Sequence, residues 1–237
     1  MRIDKFIGNN CGLSRTLIHV AIKRGGVTCN GEVVKKTNAN MDANDIVTLN
    51  GELITAIQTR YIMLHKPAGY VCANTDSEHP TVLDLINLPR KDTLQIAGRL
   101  DLDTTGLVLL TDDGQWNHLL TSPKKACHKC YLVTTADPIS VSTQADFAAG
   151  VLLHGETKLT LPAQLTLIHS HQARLEIQEG KYHQVKRMFS AVGNHVTVLH
   201  RERIGNIILD PQLNPGEYRT LTDIEVFCFN DDKSSSR

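Results

Sequence analysis

The stretch Gly98-Arg99-Leu100-Asp101-Leu102-Asp103-Thr104-Thr105-Gly106 runs straight into the apolar segment Leu107-Val108-Leu109-Leu110. A short continuous apolar run reads as a buried strand. A buried strand needs a sheet around it, and the charged loop before it is then fixed at the strand's mouth. An acid held there is placed rigidly, as covalent or acid–base chemistry requires.

The rest of the 237-residue chain supplies that sheet. From Tyr61 onward, strand signals recur at Tyr61–Leu64, Tyr70–Cys72, Tyr131–Thr134, Leu165–Ile168, Ala173–Ile177, Val196–Leu199 and Ile207–Leu209. Helices are expected at Asp113–Leu120, Ala145–Ala149 and Tyr182–Val192, the last stopped by Gly193-Asn194. Strands that mostly do not alternate with helices indicate an α+β fold: a large, mostly antiparallel mixed sheet with flanking helices.

Residues 1–57 read as a separate small helix–hairpin domain. An amphipathic helix at Arg2–Asn10 carries Ile3, Phe6 and Ile7 on one face and breaks at Gly12. Ser14 caps a second helix with Leu17, Ile18, Ala21 and Ile22 apolar. Val27–Val34 forms a hairpin about Asn30-Gly31, and a further strand at Asp45–Leu49 precedes Asn50-Gly51. A linker at Thr55–Arg60 leads to a second domain at 61–230, and the serine-rich tail 231–237 is expected to be disordered.

With 41% hydrophobic and 21% charged residues the composition is that of an ordinary soluble globular chain. No apolar run reaches membrane-spanning length and the start lacks a signal peptide's apolar core, so a cytoplasmic location is expected. The 25 basic and 25 acidic residues cancel, but they are not mixed evenly. Arg2, Lys5, Arg15, Lys23, Arg24, Lys35 and Lys36 face only Asp4 and Glu32 in the first 36 residues. Lys124, Lys125 and Lys129 form a second cluster, and Lys181, Lys186, Arg187, Arg201 and Arg203 a third. Three basic clusters in a neutral chain point to a polyanionic partner. Of six cysteines only Cys127-His128-Lys129-Cys130 has ligand spacing, and a structural zinc needs a second such pair. No metal is expected, and the thiols are expected to be reduced.

The order Arg-Leu-Asp, Thr-Thr-Gly, apolar strand resembles the active-site loop of pseudouridine synthases. Three further segments resemble that family's motifs: Leu64-His65-Lys66-Pro67-Ala68-Gly69-Tyr70-Val71, Lys129-Cys130-Tyr131-Leu132-Val133, and Gly180–Phe189 followed by Gly193-Asn194-His195-Val196. Asp112–Trp116 and His200–Gly205 resemble the RsuA-type subgroup, the synthases of ribosomal small-subunit RNA. The first 57 residues resemble the S4 RNA-binding domain through Arg2–Phe6, Ser14-Arg15 and Gly25–Gly31.

The resemblance implies isomerisation of one uridine in 16S ribosomal RNA, free or in a small-subunit assembly intermediate, with no cofactor. It implies that Asp101 acts on the ribose as nucleophile or base, that Tyr131 lies against the target base, and that Lys186 pairs with Asp101 and holds it charged. Arg99 would fill the gap left by the flipped base. Arg15, Lys23, Arg24, Lys35, Lys36, Lys66 and Arg187 would contact RNA. Nothing suggests an obligate dimer, so a monomer is expected.

Blander readings use the same residues. Tyr131 suits core packing, and Lys186 and Arg187 suit a helix surface. Asp103 suits a turn cap, and His183 with Gln184 a structural hydrogen-bonding pair. Asp101, Asp103, Asp112 and Asp113 would also suit a magnesium nuclease, the first two alone a glycosidase. A non-catalytic RNA-binding or ribosome-assembly factor would account for the front domain but not for the Asp101 loop.

Overall fold

The computed structural model describes residues 1–42, 44–56, 58–122 and 127–228. Lys124, Lys125 and the tail at 231–237 lie outside these residues. The chain separates into two compact units, Met1–Gln58 and Thr59–Arg237.

The first unit opens with helix α1 (Ile3–Cys11), which buries Ile3, Phe6 and Ile7. Helix α2 (Arg15–Lys23) follows, its N-terminus capped by Ser14 Oγ accepting from the Leu17 amide at 3.4 Å. Ile18 and Ile22 of α2, one turn apart, are buried in the core and Ala21 packs partly against it; Leu17 lies off that line and stays 56% exposed. Two hairpins complete the unit: β1 (Val27–Cys29) with β2 (Glu32–Val33), and β3 (Val47–Leu49) with β4 (Glu52–Leu53). Both turn on Asn-Gly, with φ of 52° and 84° at Asn30-Gly31 and 51° and 87° at Asn50-Gly51. Positive φ at both central residues matches the twist of the flanking strands, and Asn and Gly tolerate it best. The four strands form one antiparallel sheet in the order β2-β1-β3-β4.

Among its described residues the second unit has nine strands: β5 (Tyr61–Lys66), β6 (Gln95–Ala97), β7 (Thr105–Thr111), β8 (Lys129–Thr135), β9 (Gln164–His169), β10 (Gln172–Ile177), β11 (Val196–Ile204), β12 (Ile207–Ile208) and β13 (Tyr218–Thr220). The main path runs β13-β5-β7-β11-β8-β10-β9, with β6 on β7 and β12 on β11. Every pairing is antiparallel except β7 with β11. The sheet is therefore mixed and mostly antiparallel, as the strand pattern predicts.

Helices cover both faces. On one, α4 (Ser142–Ala149) and α5 (Gln184–Ala191) supply Phe147, Val185, Met188 and Phe189 to a core with Leu64, Val108, Tyr131 and Leu175. On the other, α3 (Gly114–Thr121) and α6 (Asp223–Phe227) bring Trp116, Leu120 and Val226 against Met63, Leu107 and Leu109. The alternation of Leu107 and Leu109 with Val108 and Leu110 between the two cores is why the run is apolar at every position.

Two expected elements differ. Tyr70–Cys72 is not a strand. The Val71 amide donates to Pro80 O and its carbonyl accepts from Val82, both at 2.9 Å, so a folded-back loop takes the backbone bonds that a strand would need. Helix α5 begins at Gln184 instead of Tyr182 because His183 is in the left-handed region, with φ 46° and ψ 37°. Helix α6 is too short to show a helical period in the sequence, yet it carries a full capping box between Thr222 and Glu225.

Glu225 also receives both terminal nitrogens of Arg219 at 2.8 Å. That bidentate contact pulls its carboxyl from 4.5 down to about 2, against the opposing effect of burial. The pair's stabilisation is present above the ordinary value and is lost as pH falls toward 2. Glu225→Gln should cost on the order of 1–3 kcal/mol at neutral pH. In thermal melts the gap from wild type should close between pH 4.5 and 2. A gap that does not change with pH would mean that the carboxylate's charge is not what stabilises α6.

Candidate active site

Asp101 lies in the loop between β6 and β7, and two buried cations hold that loop by its carbonyls. Arg201, in β11, is fully buried. Its guanidinium donates to Gly98 O at 2.6 Å, to Arg99 O at 3.3 Å and to Leu107 O at 2.7 and 2.8 Å. Lys66, the last residue of β5, is also fully buried, with its ammonium on Pro67 O at 3.0 Å, Leu102 O at 3.1 Å and Thr104 O at 2.7 Å. Burial pulls its pKa below the ordinary lysine value. A buried cation is tolerable only when its donors are matched, and these carbonyls match them. Further bonds tie the loop down: the Gly69 amide to Leu102 O at 2.9 Å, and the Leu100 amide to Cys72 Sγ at 3.3 Å.

The close approach of β7 and β11 depends on Gly106. Its φ is +108°, and an added Cβ would meet the backbone of Arg201, 2.6 Å from N and 2.9 Å from C.

Asp101 is 28% exposed. Its Oδ1 lies 3.4 Å from His183 Nε2 and its Oδ2 3.8 Å from Lys186 Nζ. The lysine is closer to Asp103, at 2.6 and 2.7 Å, and this contact holds the Asp103 carboxyl below its ordinary range. Asp103 is 69% exposed, so that pair is largely screened. Lys186 thus bridges both carboxylates of the loop, instead of pairing with Asp101 alone.

A cleft of about 630 Å³ opens beside Asp101. Arg99, Lys129, Tyr131 and the segment 180–183 contribute to its walls. Its size suits a nucleotide-scale ligand. The Tyr131 ring is buried, with its hydroxyl 3.4 Å from Arg201 Nη1 and its centroid 5.9 Å from the guanidinium carbon. Arg201 therefore positions the Asp101 loop and Tyr131 together. Burial also pulls the pKa of Lys129 down.

Asp101, Arg99 and Tyr131 thus come together at one cleft, with Lys186 at Asp101. Two expected RNA contacts are corrected. Lys66 is enclosed, with its ammonium on loop carbonyls. Arg187 is engaged by His154 O at 2.6 Å, Tyr182 O at 3.0 Å and Glu156 at 3.4 Å, which makes it a clamp for the turn at 180–183. His183 and Gln184 do not form a pair. Gln184 is buried and bonds the Lys181 amide and Glu179, each at 2.9 Å, while His183 faces Asp101. The four aspartates are divided among jobs: Asp112 pairs with Arg60 at 2.8 Å, and Asp113 caps α3 and accepts from the Tyr61 hydroxyl. Among the described residues no group of three or more His, Cys, Asp or Glu side chains is arranged to hold a metal.

Arg201 is a functional position that the sequence places only in a basic cluster expected to face a polyanion; it is buried instead. Its signal is an arginine two residues after Leu199, on the strand face that alternation assigns to the core.

Residues 60–191 match the model of the RNA pseudouridylate synthase family. The chain belongs to that family. It is 52% identical to ribosomal small subunit pseudouridine synthase A of Escherichia coli strain K12 over 95% of this chain and 98% of that protein. It is 49% identical to the protein of the same name from Haemophilus influenzae, over 95% of this chain and 98% of that one. A solved pseudouridylate synthase with 48% identity covers 97% of this chain and 99% of its own, with a TM-score of 0.71. Likeness at this length to synthases does not favour a non-catalytic RNA-binding factor.

Proposed function

We propose that this pseudouridine synthase isomerises one uridine of 16S ribosomal RNA, and that Asp101 carries the chemistry. The reading rests on the cleft that Asp101 and Tyr131 line together, with Lys186 beside Asp101, and on near-full-length likeness to proteins named for the ribosomal small subunit. The reaction breaks the N1–C1′ bond, turns the base and rejoins it through C5. The C5 proton is lost and N1 regains one, so atoms balance. No electron or group passes to a second molecule, and no cofactor is called for. A target in paired RNA must first be flipped out. Arg99, exposed at the cleft while its carbonyl is held by Arg201, is placed to fill the gap.

Asp101 acts on the ribose, as nucleophile or as base. Lys186 supplies the facing positive charge, and Tyr131 offers its ring to the base. The protein is read as a cytoplasmic monomer. Among the described residues no helix is long and apolar enough to cross a membrane. Chemical mapping of pseudouridine in 16S RNA from cells with and without the protein tests the function. One site that depends on the protein is expected, and an unchanged map would overturn the reading.

The first unit is assigned as an S4-type RNA-binding domain on the strength of Arg15, Lys23, Arg24, Lys35 and Lys36, all exposed. Replacing these five by Ala should weaken RNA binding and reduce the slope of log K against log salt by up to about 3.5, since each single-strand phosphate contact contributes about 0.7. An unchanged slope in salt titrations would remove the domain from the RNA interface.

A further inference from the structure

One aromatic at the mouth of the cleft has no part in the chemistry at Asp101. Tyr182 is 77% exposed, far more than packing would leave it. Its ring stacks on the His183 imidazole, with centroids 3.8 Å apart and planes 18° from parallel. With one face on the imidazole and the ring this exposed, the other face is open.

The turn that carries it is not loose. Arg187 donates to the Tyr182 carbonyl at 3.0 Å, and Gln184 holds the Lys181 amide at 2.9 Å. Lys181 Nζ reaches Glu156 at 3.4 Å. His183 accepts the left-handed backbone that turns its ring toward both Tyr182 and Asp101. A non-glycine residue held at positive φ is strained, and such strain concentrates at ligand sites. The surroundings therefore fix an exposed aromatic plane one imidazole away from Asp101. An ordered platform loses little entropy when a flat ligand lands on it.

We propose that Tyr182, backed by His183, is a stacking subsite for an unpaired base next to the target uridine. Every base has a π-face, so the subsite selects single-stranded RNA at that neighbour without reading its sequence. Arg99 and Lys181, both on the walls of the cleft, place positive charge near the subsite. The subsite rests on the reading that this protein acts on a uridine in RNA.

The test uses the full-length protein and a 16S RNA fragment containing the target uridine, intact or with one neighbouring base removed to leave an abasic sugar. RNA affinity is measured by direct titration, and conversion is followed separately by tritium release from uridine C5. Tyr182→Ala should raise Kd and KM about five- to one-hundred-fold. The single-turnover rate at saturating RNA should stay within about three-fold. Tyr182→Phe and Tyr182→Trp should restore affinity, because they keep the ring. Removing the stacked base should cost the wild type the same factor and cost Tyr182→Ala nothing further. The proposal fails if no neighbour shows this non-additivity, or if Tyr182→Phe is as weak as Tyr182→Ala. It fails equally if the loss lies in the saturated rate with Kd unchanged. Absence of tritium release by the wild type would instead count against the uridine reading, and the titrations would still report on stacking.

Discussion

Asp101→Asn should abolish tritium release from RNA labelled at uridine C5 while leaving RNA affinity within a few-fold of wild type. The substitution keeps the shape of the side chain and one acceptor oxygen but removes the charge and the nucleophile. A positioned acid–base group alone accounts for about 10²–10⁴ in rate, and a covalent role adds to that. Asp103 is the internal control. It lies two residues away and binds the same lysine more closely, at 2.6 Å against 3.8 Å, but it is mostly exposed. Asp103→Asn frees the Lys186 ammonium to settle on Asp101, and activity should fall by no more than a few-fold. Lys186→Ala should be severe in an Asp101 background and silent in an Asp101→Asn background, since its effect passes through that carboxylate. Loss with Asp103→Asn and retention with Asp101→Asn would mean that the reacting carboxylate is Asp103.

The largest effect on stability is expected at Gly106. Its Cα sits where β7 runs parallel to β11, paired with Arg201. A Cβ there would be 2.6 Å from a backbone nitrogen, and backbone in the middle of a sheet cannot rotate aside as a side-chain tip can. Gly106→Ala therefore has to push the two strands apart or unwind a φ of +108°. Either response also moves Arg201, and with it the carbonyls of Gly98 and Arg99 and the Tyr131 hydroxyl. A loss above about 4 kcal/mol is expected, in the range reserved for core strain. Gly31 gives the comparison: its φ is +84°, but nothing lies within 4 Å of an added Cβ. Gly31→Ala should cost only about 1–2 kcal/mol, the local strain of the conformation. Urea melts of the two variants separate the terms, and equal losses would show that contact with Arg201 contributes nothing.

Features that depend on neighbours in the chain are legible in the amino-acid sequence alone. Asn30-Gly31 and Asn50-Gly51 determine their own turns, because the positive φ values those turns need are available to few residues. Ser14 determines the start of α2 through a bond to an amide three residues on. The run Leu107–Leu110 determines a strand buried on both faces, and the acid before it a rigid loop at its mouth. The order of the motifs carries the family; that Asp101, Arg99 and Tyr131 line one cleft is a fact of the tertiary structure.

What only the tertiary structure decided is the fate of the cations. Lys66 and Lys186 look alike in sequence, each in a motif and each able to face a phosphate. One is enclosed by carbonyls from residues 36 and 38 positions away, and the other bridges two carboxylates across a separation of 83 to Asp103. Arg201 is buried because carbonyls 94 and 103 residues earlier satisfy it. Burying a charge is decided by whether distant backbone arrives to replace water, and local sequence does not hold that information. His183 shows the same division in one residue: the helix that follows it is readable from the sequence, but its left-handed backbone, and through it the contact with Asp101, follow from the packing of the turn that precedes α5.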